Sequence, residues 1–465
     1  MERSLHPHSS SPKFIIQYYS QICATALFIV SLSVLAQPVQ PINEIGRELD
    51  AVSKALIDSI EQPNTNIPFE ALKPTLVSAL DNIPALLKRI EEAKFLEARR
   101  EETRARMLPK LSLSAGAGTS DTKGGTSGDA ETHTLSISQL VFDFGTSFRS
   151  LDATEKSALA AEARLRGARS ESLLELLRAT TEVRRATQRL DLSTAFVSSR
   201  RQFLDLIRQK EALGASSSAD IVRAESKVFE AADELPFAVR RLNDARSQYK
   251  ELFGRLPIQP IPEFALPRIA GFSDLSPEDA VARLSTVVEA ELKLDAATLE
   301  YKAAKSASLG GISLEGTASK SRTPDAQTEE KSTVFLRYTV DIFSGFAQSA
   351  RIDQQAARQK EAQWELDRVR RESLKQLEDA FADYQAQQSS VTSRIAVLRS
   401  AKASSDIAKD LFLFNRGSLT DVFKAQDDYI LAARNLVDSN SEFKTSFYNL
   451  LHKFDRLMSV VDDPI

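Results

Sequence analysis

A constant offset of 201 residues relates two halves of this chain, and no other feature restricts its fold as tightly. Ala79-Leu80…Leu86-Leu87 falls on Ala280-Val281…Val287-Val288, and Leu111-Ser112-Leu113-Ser114 on Ile312-Ser313-Leu314-Glu315. Thr134-Leu135-Ser136-Ile137…Val141-Phe142 falls on Phe335-Leu336-Arg337-Tyr338…Ile342-Phe343. Gly214…Ser217…Asp220-Ile221-Val222-Arg223 falls on Asn415…Ser418…Asp421-Val422-Phe423-Lys424. One offset that holds without gaps from about residue 79 to 226 is the mark of duplication. Asn415 for Gly214 is a physically sensible exchange, because Asn tolerates the left-handed turn that Gly supplies.

Within each copy the apolar period switches between strand and helix. Leu111, Leu113, Ala115 and Ala117 alternate with small or polar residues, as do Leu135, Ile137 and Val141. The second copy repeats this with Ile312 and Leu314, then Val334, Leu336, Tyr338, Val340 and Ile342. Runs of about ten residues with one apolar face have the length of membrane β-strands. Taken alone, they equally suit amphipathic hairpins packed on a soluble core. The stretches within each pair, Ser120–Glu131 and Lys320–Lys331, are polar and read as loops.

A long helix should follow each hairpin. From Gly145 to Leu213 there is no Pro and one interior Gly, Gly167. Leu176, Val183, Leu190, Val197 and Leu204 recur every seven residues, a coiled-coil seam, and Leu377, Tyr384, Val391 and Leu398 repeat it. At 1.5 Å per residue such a helix is a rod of roughly 100 Å. The return path is split into Asp220–Phe253 and Pro277–Ser308, together 66 residues, which nearly equals the descending rod.

The expected organisation is a signal peptide at 1–36, an N-terminal periplasmic extension at 37–67, and two repeats. The first repeat, 68–254, holds a helix, a hairpin at 109–143, a long helix at 145–213 and a return helix at 220–254. A Pro-rich connector, 255–275, separates it from the second, 276–456, with a hairpin at 310–343, a long helix at 345–414 and a return helix at 420–456. Residues 457–465 form a tail. The signal reading rests on the uncharged run Phe14–Gln37 with Val34-Leu35-Ala36 as cleavage site. An uncleaved anchor is the rival, but IIQYYSQ is polar for a span. Cleavage would remove Cys23, the only cysteine, so the mature chain could form no disulfide.

Several function classes fall away. With 60 basic and 64 acidic residues the net charge is −4, which gives no general affinity for nucleic acid. His133 and His452 are the only histidines beyond the signal, too far apart in sequence to suggest a His-based metal site or a triad. No P-loop, GxGxxG, GxSxG or HExxH pattern occurs. No catalytic, cofactor or metal residues are expected. Four strands per chain cannot close a barrel, and an open edge in lipid leaves backbone groups unsatisfied. Membrane strands would therefore require oligomers: two chains give eight strands and a filled interior, three give twelve and a passage. The polar inward positions favour three.

The chain resembles the TolC-type outer membrane factors over roughly Pro68 to Arg456. The resemblance rests on Leu108-Pro109-Lys110-Leu111-Ser112-Leu113, on Leu140-Val141-Phe142-Asp143-Phe144-Gly145, and on Asn415-Arg416-Gly417-Ser418-Leu419-Thr420-Asp421-Val422-Phe423-Lys424-Ala425-Gln426. It implies a mainly α fold with membrane β: a homotrimer with an α-barrel of long coiled-coil helices joined to a 12-stranded β-barrel. It also implies an outer membrane location reaching into the periplasm, and helix tips that open against a periplasmic adaptor and an inner-membrane transporter. The first position of the family's acidic ring at the inner mouth matches Asp421. The second is Lys424 here, a departure from an all-acidic ring. Asp220 and Arg223 are the matching pair in copy one. These four residues are the candidate constriction, with helix capping the alternative role for the two aspartates. Phe412, Phe414, Phe423 and Tyr429 are expected to pack in the coiled coil.

The function expected is a passive exit duct for type I protein secretion or multidrug efflux, with a slight lean toward polypeptide cargo. One rival is a structural or adhesive coiled-coil envelope protein, which would tolerate polar breaks in the strand faces. Another is an inner-membrane-anchored adaptor, for which no lipoyl-like segment is visible.

Overall fold

In the computed structural model, residues 45–61, 69–120, 128–258, 261, 266, 277–322 and 328–462 are described. The signal, the only cysteine and most of the Pro-rich connector lie outside them. The described elements, in chain order, are α1 (Arg47–Glu61), α2 (Lys73–Leu80), α3 (Pro84–Ala105), β1 (Lys110–Ser120), β2 (Gly128–Phe142), α4 (Thr146–Ala212), α5 (Ser218–Phe253), α6 (Pro277–Val281), α7 (Ser285–Ala307), β3 (Gly311–Arg322), β4 (Thr328–Thr339), α8 (Ala347–Leu413), α9 (Leu419–Lys453) and α10 (Ser459–Asp462). None of the described helices is long and apolar enough to cross a membrane.

The duplication is kept at the level of single residues. α4 and α8 are each 67 residues long and start and stop 201 residues apart. Residues in the left-handed region pair at the same spacing: Phe144 with Gly345, Gly145 with Phe346, Gly214 with Asn415, and Gly254 with Asp455. Backbone geometry at the ends of the rods has therefore persisted although glycine has not.

The chain divides into two compact units. The first joins the residues up to Val52 to Ala195–Ala231. Here the Gly46 N–H donates to Gln202 Oε1 at 3.0 Å, tying the start of α1 to the lower part of α4. Phe203 and Ile207 are fully buried within it.

The second unit, Ser53–Thr194 with Ala232–Ile465, holds the sheet and most of the helices. Its larger core gathers Leu76, Leu80 and Leu86 with Leu173, Leu176 and Val183 of α4, Leu242 and Tyr249 of α5, and Tyr448 and Leu451 of α9. A smaller core holds Leu284, Val287, Leu366, Leu377, Ala380 and Phe454. Ion pairs lock α9 to α4, where Asp438 accepts from Arg185 at 3.3 Å and from Arg189. Arg434 pairs with Glu234 and donates to Ser193 Oγ.

The sheet has the order β1-β2-β3-β4, all antiparallel, with β1 and β4 as its edges. The strands reach further into the expected loops than alternation alone indicated. Ser120 pairs with Gly128, and Arg322 with Thr328, because antiparallel bonding continues through polar residues and Lys320 meets Glu330 at 2.7 Å. At the other end β4 stops at Thr339, short of Val340 and Ile342. Its neighbour β3 begins only at Gly311, opposite Thr339, so among the described residues the backbone beyond pairs with no strand. α1 is a further difference, a regular helix inside the stretch read only as an extension.

Candidate functional site

The register sorts the strand side chains onto two faces, because paired residues project to the same side. One row runs Leu111–Ile137–Gly316–Val334 across all four strands, flanked by Leu113–Leu135–Ala318 and by Leu314–Leu336. Leu113 is 75% exposed, Val334 74% and Leu336 69%. A continuous apolar stripe this open is covered by something other than the chain itself. The opposite face carries Ser112–Ser136–Thr317–Thr333 and Ser114–Thr134–Ser319–Lys331, with Glu315 bound to Arg337 at 2.8 Å. Aromatic rings gather where strands give way to helices: Phe142 stands edge-on to Phe144, and Phe343 edge-on to Phe346. Rings at that level are typical of a membrane interface.

At the far ends of the long helices the turns are built twice. Past α4, the Ala215 N–H donates to the Lys210 carbonyl at 2.7 Å and the Gly214 N–H to the Glu211 carbonyl at 2.8 Å. Past α8, Arg416 donates to Leu411 at 2.8 Å and Asn415 to Phe412 at 3.1 Å. Both are Schellman closures, with φ of 73° at Gly214 and 55° at Asn415. Gly417 is a close-approach position: a Cβ there would lie 3.0 Å from that of Leu411.

Each closure leads into a capped helix. The Asp220 N–H donates to Ser217 Oγ at 3.2 Å, while the Ser217 N–H donates to Asp220 Oδ2 at 3.1 Å, a reciprocal capping box. Ser216 and Ser217 hydroxyls add further bonds to the same carboxylate. The Ser217 hydroxyl and backbone bonds hold the Asp220 carboxyl below its ordinary range, with Ser216 and Arg223 contributing. At the second tip the Asp421 N–H donates to Ser418 Oγ at 3.1 Å, and the Ser418 hydroxyl donates back to Asp421 Oδ2 at 2.7 Å.

Both aspartates thus do capping work. Arg223 lies 3.8 Å from Asp220 and is 65% exposed. Lys424 is exposed and has no ion pair among the described residues. The first pair lies in the first unit and the second pair in the second. Phe412, Phe423 and Tyr429 are buried, whereas Phe414 is 76% exposed and packs on nothing extensive within its own chain. The serine partners were not singled out from the sequence, although Ser217-Ser218-Ala219-Asp220 and Ser418-Leu419-Thr420-Asp421 carry the S-x-x-D spacing of a cap.

A family model described as outer membrane efflux protein matches residues 75–255 and 276–452, one match for each copy. The alkaline protease secretion protein AprF of Pseudomonas aeruginosa is 24% identical over 401 residues, covering 82% of each chain. The outer membrane protein VceC of Vibrio cholerae superposes with a TM-score of 0.75 at 17% identity, covering 83% of this chain and 96% of that one. The open state of the Neisseria gonorrhoeae outer membrane channel MtrE gives 0.73 at 17% identity, covering 83% and 89%.

Proposed function

The chain belongs to the outer membrane efflux protein family, and from that premise we propose that it works as a homotrimeric, passive exit duct for a secreted polypeptide. The outer membrane is its location and export its role. The observation that carries the reading is the apolar stripe crossing all four strands of a sheet whose two edges are unpaired within the chain. Lipid would cover the stripe, and a neighbouring β1 would satisfy β4. A structural coiled-coil protein of the envelope needs neither. Three chains make twelve strands, wide enough for a passage.

The long helices descend into the periplasm in this reading, and their tips meet an adaptor that couples the duct to an energised inner-membrane transporter. The duct wall performs no chemistry and holds no cofactor. Asp220, Arg223, Asp421 and Lys424 border the inner mouth, where the lysine makes the ring mixed in sign. The similarity to a protease secretion protein supports polypeptide cargo over small toxic compounds. The test is fractionation followed by electrophoresis and bilayer recording. An outer-membrane oligomer that dissociates on heating and conducts is expected. A folded monomer, or residence in the inner membrane, would overturn the reading.

A further inference from the structure

Below the strands, four helices form one layer in the order α3, α4, α7, α8. Glu155 of α4 acts on Arg100 of α3, Lys156 of α4 meets Asp295 of α7 at 3.5 Å, and Arg370 of α8 meets Glu291 of α7 at 2.6 Å. All four helices line a single hollow of about 320 Å³ near their strand-proximal ends. In the duct reading these helices belong to the wall, and the hollow that all four line opens on the passage.

The hollow is strongly basic. Arg99 reaches it from α3, Arg106 from the residue that caps that helix, and Arg351 and Arg358 from α8, against one carboxylate, Glu300. Arg106 is engaged by Glu102 at 2.8 Å. The guanidinium groups of Arg99, Arg351 and Arg358 have no hydrogen-bond or ion-pair partner among the described residues. Hydroxyls of Thr103, Thr146, Ser150 and Thr154 complete the wall. The Gln355 carboxamide oxygen is buried there without a hydrogen-bond partner, and the same amide turned over would offer N–H donors. Duplication does not account for the charge. At the 201-residue spacing Arg351 replaces Ser150, Arg358 replaces Ser157, and Glu300 stands where copy one has Arg99. Further along α3, α4 and α7, another cavity sets Arg89, Arg164 and Lys293 against Glu92 and Glu289. The excess of positive charge is larger at the strand-proximal end.

We propose that this hollow is a binding site for phosphate-type polyanions in the duct lumen, repeated in each chain as a basic collar beneath the strands. Guanidinium groups with free donors suit phosphate oxygens in forked geometry, and the Ser150 hydroxyl adds a neutral donor. Its placement in a lumen rests on the duct reading; the binding itself does not.

The probe is inorganic pyrophosphate, titrated calorimetrically into the full-length protein in a non-ionic detergent. Saturable binding that weakens with added salt is expected, and the double variant Arg351→Gln/Arg358→Gln should weaken it at least about tenfold. Arg351→Lys should retain part of it, and Arg100→Gln, on the same layer but paired with Glu101, should leave it unchanged. Absence of saturable binding in the wild type, or equal affinity in the double variant when it elutes as the wild-type oligomer, would overturn the site. Retention of phosphatidylglycerol from nanodiscs with no binding of pyrophosphate would place the arginines against lipid and overturn the lumenal collar. Bilayer recording separates the two readings: a conducting protein that ignores pyrophosphate loses the collar and keeps the duct. Pyrophosphate binding by a non-conducting protein keeps the site and removes the duct.

Discussion

Ser217 and Ser418 each bind both the amide and the carboxylate of the aspartate three residues on, so one side chain serves the local fold at both tips. Arg223 and Lys424 have no such duty, and both are exposed. The two roles separate by substitution. Ser418→Ala should cost about 1 kcal/mol in thermal or denaturant unfolding with conductance little changed. Lys424→Ala should shift single-channel cation preference upward with stability within about 0.5 kcal/mol of wild type. Asp421→Ala should do both, since its carboxylate caps and carries charge. A conductance unmoved by Asp421→Ala and Lys424→Ala alike would assign the tip charges to capping alone.

Between the elements, the most informative joint is that of α4 with the end of α9. Ser170 Oγ and His452 Nδ1 are 2.8 Å apart, a hydrogen bond whose direction follows the tautomer of the ring. Burial, with Lys453 adding, pushes the imidazole below its ordinary value, while Asp455 and Glu171 pull it back and Arg178 pushes it down. A histidine with a lowered folded value is bound to fewer protons than in the unfolded chain. Stability is therefore complete above about pH 6.5 and falls as pH drops through the window beneath it. Melting followed from pH 8 to pH 5 should show that loss, and His452→Gln should flatten it; an unchanged pH profile in the variant would exclude the imidazole as its source.

Much at this scale was legible in the chain. The lengths of α4 and α8 follow from an unbroken run without Pro, and the buried seam of Leu176, Val183, Leu377 and Leu398 follows from a seven-residue period. Strand ends were not legible, because pairs such as Lys320 and Glu330 extend the ladder through residues that read as loop. Pro236 inside α5 was another silent feature; copy two has Val437 at that spacing, and the proline leaves the Ala232 carbonyl without its helical donor. The basic hollow was invisible because its arginines come from segments some 250 residues apart, joined only by the order of helices in the layer.

For the whole molecule the sheet decides the outcome. An isolated chain exposes both edges and an apolar face, so the assembled state and membrane insertion should stand or fall together. Leu336→Lys sets a charge in the middle of the stripe, at a cost of about 2–4 kcal/mol if that position faces the bilayer midplane. The heat-dissociable oligomer should diminish sharply on gels, while Thr333→Lys, on the polar face, should leave it intact. Equal behaviour of the two variants would mean that the faces are not divided between lipid and water.

The equal 67-residue span of α4 and α8 also constrains how such a gene can change. Loss of one codon from either helix would turn everything beyond it by about 100° and draw it in by about 1.5 Å, while its twin stayed put. β2 precedes α4 and β3 follows it across the repeat boundary, yet the two strands are bonded side by side, so a change in α4 alone would put them out of step. Surviving insertions and deletions should therefore come as matched events in both repeats, or be confined to the turns.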